Sequence, residues 1–151
     1  MSYFDDAFQM KTESKTPSDF IVTKGNVRIS VLTPCLVRLE KSENGNFTDE
    51  PTQSVWYRAF DKPEFSFAEK DGLFTVRTAQ TVFEIDASSG KMRAVTLKDG
   101  NRVTDFNKGN LLGTYRTLDN SIGKVKIGSG IISKSGVAYF DDGKSLILKE
   151  N

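Results

Sequence analysis

The chain has no histidine and a single cysteine, Cys35, among its 151 residues. The first absence removes Ser-His and Cys-His nucleophile pairs, imidazole acid–base catalysis and His-ligated zinc together. The second removes any internal disulfide, and with it a disulfide-stapled secreted scaffold. A calcium site would have to be built from carboxylates, and the aspartates are scattered among turns without calcium-loop spacing. No metal or other cofactor is therefore expected. Neither sign of charge dominates: 21 basic side chains face 20 acidic ones. No global field attracts nucleic acid or an anionic membrane, and neither is an expected partner. No apolar run approaches the length that spans a bilayer. Residues 1–18 are polar, acidic at Asp5 and Asp6, and lack the basic and apolar regions of a leader peptide, so the expected location is cytoplasmic.

What is present reads as β-structure. The length suits one domain, expected over residues 19–151 behind the polar segment 1–18. Val27-Arg28-Ile29-Ser30-Val31 alternates apolar and polar, the period of a half-buried strand, and Thr33-Pro34 interrupts it before Leu36 to Glu40 resumes. Asn44-Gly45-Asn46 is a turn signal. Strands are expected over Glu64 to Lys70 and Leu73 to Thr78, joined by an Asp71-Gly72 hairpin. Thr81 to Asp86 should place Thr81, Phe83 and Ile85 on one face. Ser88-Ser89-Gly90 then turns the chain into Lys91 to Leu97, and Asp99-Gly100 turns it toward Val103. Val137 to Phe140 and Ser145 to Leu148 are expected strands flanking an Asp142-Gly143 hairpin. Phe4 and Phe8 suggest one helical turn at most. Short strands with turns at this spacing predict an all-β, antiparallel two-sheet sandwich with Val27, Ile29, Val31, Phe83 and Ile85 buried.

The long exception is 107–129, rich in glycine and asparagine. Long ordered loops in compact domains are often functional. Gly109 and Gly113 lack a strand–turn–helix context, so a phosphate cradle is not expected, and a supply of positive φ is the simpler role. Trp56 is expected in the inter-sheet core, with an exposed sugar-stacking platform as the alternative. Asp141-Asp142 cannot act as paired catalytic carboxylates, since neighbouring strand residues point apart.

Four segments resemble, in order, the N-terminal β-sandwich domain of glycoside hydrolase family 31, the α-glucosidases and α-xylosidases. They are Val27-Arg28-Ile29-Ser30-Val31-Leu32-Thr33-Pro34 continuing to Glu40; Phe47-Thr48-Asp49 leading to Pro51-Thr52-Gln53-Ser54-Val55-Trp56; Gly113-Thr114-Tyr115-Arg116-Thr117-Leu118-Asp119; and Gly130 to Gly136, ending at Asp141-Asp142. The chain departs from that pattern at Lys134, where relatives carry arginine, and at Val137, where many carry tryptophan. The resemblance implies a galactose mutarotase-like sandwich of the supersandwich type, with the domain's last strands lying beyond this chain. It also implies a non-catalytic role beside a barrel that holds both catalytic aspartates of a retaining α-glycosidase. The expected partners are then the barrel of the same polypeptide and an α-linked sugar, with Arg116, Asp119, Asp141 and Asp142 as candidate sugar contacts. A free-standing carbohydrate-binding module is the alternative. An independent mutarotase would need the histidine that is missing. Unpaired sheet edges would invite self-association.

Overall fold

Alternating β-branched and polar residues punctuated by glycine turns favour extended chain, and that is what forms. The computed structural model describes residues 11–113 and 118–149. A 3-10 turn, Ser18–Phe20, leads into β1 (Ile21–Lys24), β2 (Val27–Thr33) and β3 (Leu36–Lys41), an antiparallel sheet in the order β1-β2-β3. After a long irregular connection come β4 (Phe65–Lys70), β5 (Leu73–Thr78), β6 (Val82–Asp86), β7 (Met92–Thr96) and β8 (Arg102–Val103). These form a sequential antiparallel meander of five strands. The expected all-β architecture of two antiparallel sheets is present. Phe4 and Phe8 lie outside the described residues.

The turns follow from their residues. Asp71 and Gly72 both take positive φ, 50° and 74°, which is the mirror-image turn that a two-residue hairpin needs. Asp86 Oδ1 accepts the Ser89 N–H and both the Ser88 and Ser89 hydroxyls, so it holds the turn between β6 and β7.

The sheets meet through one apolar cluster. Val27, Ile29 and Val31 of β2 pack with Phe74 and Val76 of β5, Phe83 and Ile85 of β6, and Val95 of β7. All five residues expected to be buried are in this cluster. Burying each such side chain contributes about 1.5–3 kcal/mol relative to exposure, so the cluster is what holds the sheets face to face.

β2 departs from the half-buried pattern its alternation suggests, because Arg28, Ser30 and Leu32 on its outer side are also buried. Irregular chain covers that side. Arg28 donates to Glu40 Oε2 at 2.7 Å and to the Thr48 carbonyl at 3.1 Å, and its guanidinium lies 4.8 Å from the centre of the Phe47 ring. The Ser14 hydroxyl donates to the Asp49 carbonyl at 2.6 Å, and Arg58 Nη1 donates to the Ser14 carbonyl at 3.2 Å. Residues 13–16 and 47–58 thus form a third layer over the three-stranded sheet.

Trp56 belongs to that layer. It is 36% exposed, donates its indole N–H to the Gln53 carbonyl, and takes no part in the inter-sheet cluster. The expectation that it fills the core is corrected: Phe74, Phe83 and the β2 aliphatics already occupy that space. The strands expected at 137–140 and 145–148 are also corrected. Neither forms; Ile147 makes only an isolated bridge with Thr52.

Candidate functional site

The loops singled out in the sequence brace one another. Asn110 is the hub: its Nδ2 donates to Asn107 Oδ1 at 2.7 Å and to the Gly130 carbonyl at 2.9 Å. Its Oδ1 accepts the N–H groups of Leu112 and Gly130 at 2.8 and 2.9 Å. Backbone bonds continue the pairing, from Leu111 N to Ile132 O, Gly113 N to Gly128 O, and Lys134 N to Gly109 O. Glycine is required twice here. A Cβ on Gly130 would stand 2.2 Å from the Leu112 carbonyl oxygen, and Gly109, at φ +65°, already lies against the Lys134 side chain. Gly109 therefore supplies positive φ as expected, whereas Gly113 does not. Ser133, buried beneath, donates its hydroxyl to the Phe106 carbonyl at 2.8 Å.

Beside this brace, at the end of β8, lies a cleft of about 420 Å³ lined by Asn101, Arg102, Asp105, Lys108, Lys134 and Ser135, among others. Asp105 does more for the turn than for the cleft, since its Oδ1 accepts the Asn107 N–H at 3.0 Å and its carbonyl accepts that of Lys108. Arg102 pairs with Glu84, whose hydrogen bond and charge raise the arginine pKa and lower that of the carboxylate.

The candidate sugar contacts fall in different places. Arg116 lies outside the described residues. Asp119 is exposed in a turn closed by the Ser121 N–H on the Leu118 carbonyl. Asp141, also exposed, accepts the Gly143 N–H at 2.9 Å. Asp142 turns toward the outer layer, where the Thr52 hydroxyl donates to both its oxygens at 2.9 Å. Gln53 N and Leu148 N add backbone bonds to Leu146 O and Pro51 O, so 51–54 and 146–148 run together. The structure brings 109–113 beside 128–134 and carries Asp142 away from them to Thr52.

Sequence reasoning missed a cluster of charge under the outer layer. Glu40 binds both Arg28 and Arg38, and Asp49 pairs with Arg28 at 2.8 Å. Burial opposes the Arg28 charge, but the hydrogen bonds and charges of Glu40 and Asp49 together outweigh it and raise its pKa. Arg38 is pushed down by burial, with Glu40 only partly compensating. Arg58 is fully buried and is also pushed down by burial; its Nε and Nη2 have no hydrogen-bond partner among the described residues. No local signal marks these residues, since an arginine at a polar strand position reads as solvent-facing.

Among the described residues, no group of three or more carboxylate or thiol side chains is arranged to hold a metal ion. No helix among them is long and apolar enough to cross a membrane. The chain matches no model of a known protein family, and no curated protein matches it.

Proposed function

We propose that this chain is the non-catalytic N-terminal sandwich, of the galactose mutarotase-like type, of a family 31 α-glycosidase. Its work is to pack on the catalytic barrel of the same polypeptide and help shape the sugar-binding site. The sequence support is the order of the four quoted segments. The structural observation that supports it best is the unburied apolar stretch from Leu111 to Ile147. Leu111, Leu112, Ile122, Ile132 and Tyr139 all stand more than half exposed, while the inter-sheet cluster comes wholly from earlier in the chain. Single exposed apolar residues are ordinary, but a concentration of them marks an interaction surface. Packed on a barrel, such a surface would hold the neighbouring loops near the substrate, where binding energy remote from the reacting bond assists its orientation.

The test is expression of the chain alone and together with whatever coding sequence follows it, assayed on aryl α-glucosides and α-xylosides. Activity is expected only in the longer protein, and there Asp119→Ala should lower kcat/KM of the folded enzyme. A following sequence without a barrel bearing two catalytic aspartates would overturn the reading, as would sustained nitrophenol release by the purified chain alone.

A second reading, a free-standing carbohydrate-binding module, draws on the exposure of Trp56 and of Tyr57, at 36% and 53%. Aromatic faces open to solvent suit sugar stacking. Retarded migration in gels containing α-glucan, abolished by Trp56→Ala, would favour it over the first.

A further inference from the structure

We propose that the cleft at the end of β8 binds a phosphate group, either free or carried by a small phosphate monoester. The proposal stands on how the cleft is charged and built, and is independent of the glycosidase reading.

Three cationic side chains line the cleft, from Arg102, Lys108 and Lys134, against one carboxylate, Asp105. The Arg102 charge is matched by Glu84. Among the described residues neither Lys108 nor Lys134 enters an ion pair. The Asp105 carboxylate accepts the Asn107 N–H in the turn that presents Lys108, and its single charge offsets one of the two lysines. Two lysines against one carboxylate leave the cleft with an excess of positive charge, which a bound anion relieves.

The placement is built into the backbone. The Asp105–Asn110 turn fixes where Lys108 starts, with Asn110 N donating to Asn107 O. Lys134 is held next to it because Gly109 has no side chain: a Cβ there would stand 3.0 Å from Lys134 Cβ, and Lys134 N donates to Gly109 O. Asn110, bonded across to Gly130, locks the two loops together. An anion would therefore meet two lysines whose backbones are already placed, leaving only their side chains to be ordered. Lysine acts as a point charge toward phosphate, and phosphate, close to doubly charged near neutral pH, suits two of them. A volume of about 420 Å³ leaves room beside the phosphate for a sugar-sized group, with Asn101 and Ser135 on the wall as polar neighbours.

The experiment titrates the full chain by calorimetry with inorganic phosphate, glucose 6-phosphate and glucose, at low and raised salt. Saturable binding of the phosphate-bearing probes is expected, weakened by salt, with none for glucose. Tighter binding of glucose 6-phosphate than of phosphate assigns the site to a monoester; equal affinity assigns it to the free anion. Lys108→Gln and Lys134→Gln should each weaken binding about fivefold or more, whereas Lys70→Gln, on β4, should not change it. All three side chains are exposed, so the variants keep the fold. No saturable binding, or binding unchanged in the Lys108→Gln/Lys134→Gln double variant, would overturn the proposal.

Discussion

Arg58 is the residue whose chemistry is least resolved by its surroundings. Its guanidinium is fully buried, yet among the described residues only Nη1 finds an acceptor, the Ser14 carbonyl, and Nε and Nη2 find none. A buried cation with unmet donors is held at a penalty that neighbouring carboxylates only partly offset. Glu40 does not depend on it, because Arg28 and Arg38 both pair with that carboxylate. Arg58→Met, which keeps the length and removes the charge, is therefore expected to raise stability by about 1 kcal/mol. Urea denaturation measures this; a loss of stability would mean that the Arg58 charge is needed to balance Glu40, Asp49 and Asp142. Asp86 makes the opposite case. Hydrogen bonds from Arg93 first, then from Ser88 and Ser89, hold its carboxyl far below the usual carboxylate range. A depressed folded-state pKa stabilises the fold above the unfolded value, near 3.9, and the contribution is lost progressively as pH falls from there through the much lower folded value. Asp86→Asn should be less stable than the parent near pH 7, with the gap closing below about pH 4. A gap independent of pH would show that the turn needs the side chain's shape rather than its charge.

At the scale of elements, glycine conformation separates turns that need glycine from loops that merely contain it. Gly72, between β4 and β5, has φ +74° and open space where a Cβ would go, so Gly72→Ala isolates the backbone term. It is expected to cost about 1 kcal/mol. Gly128 also has open space but no positive φ, and Gly128→Ala should be neutral or slightly stabilising, by up to about 1 kcal/mol, through the unfolded chain. Equal effects at both sites, compared by thermal denaturation, would contradict the turn assignment. The hairpin at Asp71-Gly72 was readable because local sequence dictates such turns, and β5 follows from it; β2 and β6 were readable because Val27 to Val31 and Thr81 to Asp86 largely alternate. β1 was not: Ile21-Val22-Thr23-Lys24 is short, and it becomes a strand by pairing with β2. Val137 to Phe140 fails in the opposite sense. It has strand-like residues but forms no strand, and strand propensity expresses itself only against a neighbour. Of the candidate site, the sequence marked 107–129 as a long glycine-bearing loop but not its bracing against 128–134 by Asn110. The convergence of Lys108 with Lys134, and the seating of Asp142 on Thr52, depend on contacts between residues far apart in sequence and carry no local signal.

For the molecule as a whole, the sheets and their cover account for the chain up to Val103, while the described residues of 107–149 add Val137 and little else to the apolar interior. That stretch still presents Leu111, Leu112, Ile131, Ile132 and Phe140 to solvent. The Asn110 network keeps Leu111 and Ile132 adjacent through a backbone hydrogen bond, so these side chains cannot simply scatter. Held together and uncovered, they should drive association of the isolated chain as its concentration rises. Sedimentation velocity is expected to show a concentration-dependent shift to larger species, reduced when Ile131 and Ile132 are both replaced by lysine. Both side chains are already half or more exposed, so the replacement leaves the fold intact. The outer strands β1, β3 and β4 offer a different route, since their free edges can pair with another copy regardless of those isoleucines. Association that persists in the double variant would assign contact to the edges. A monomer at every concentration would remove the structural support for a docking face, leaving the barrel-packing role to rest on the sequence segments alone.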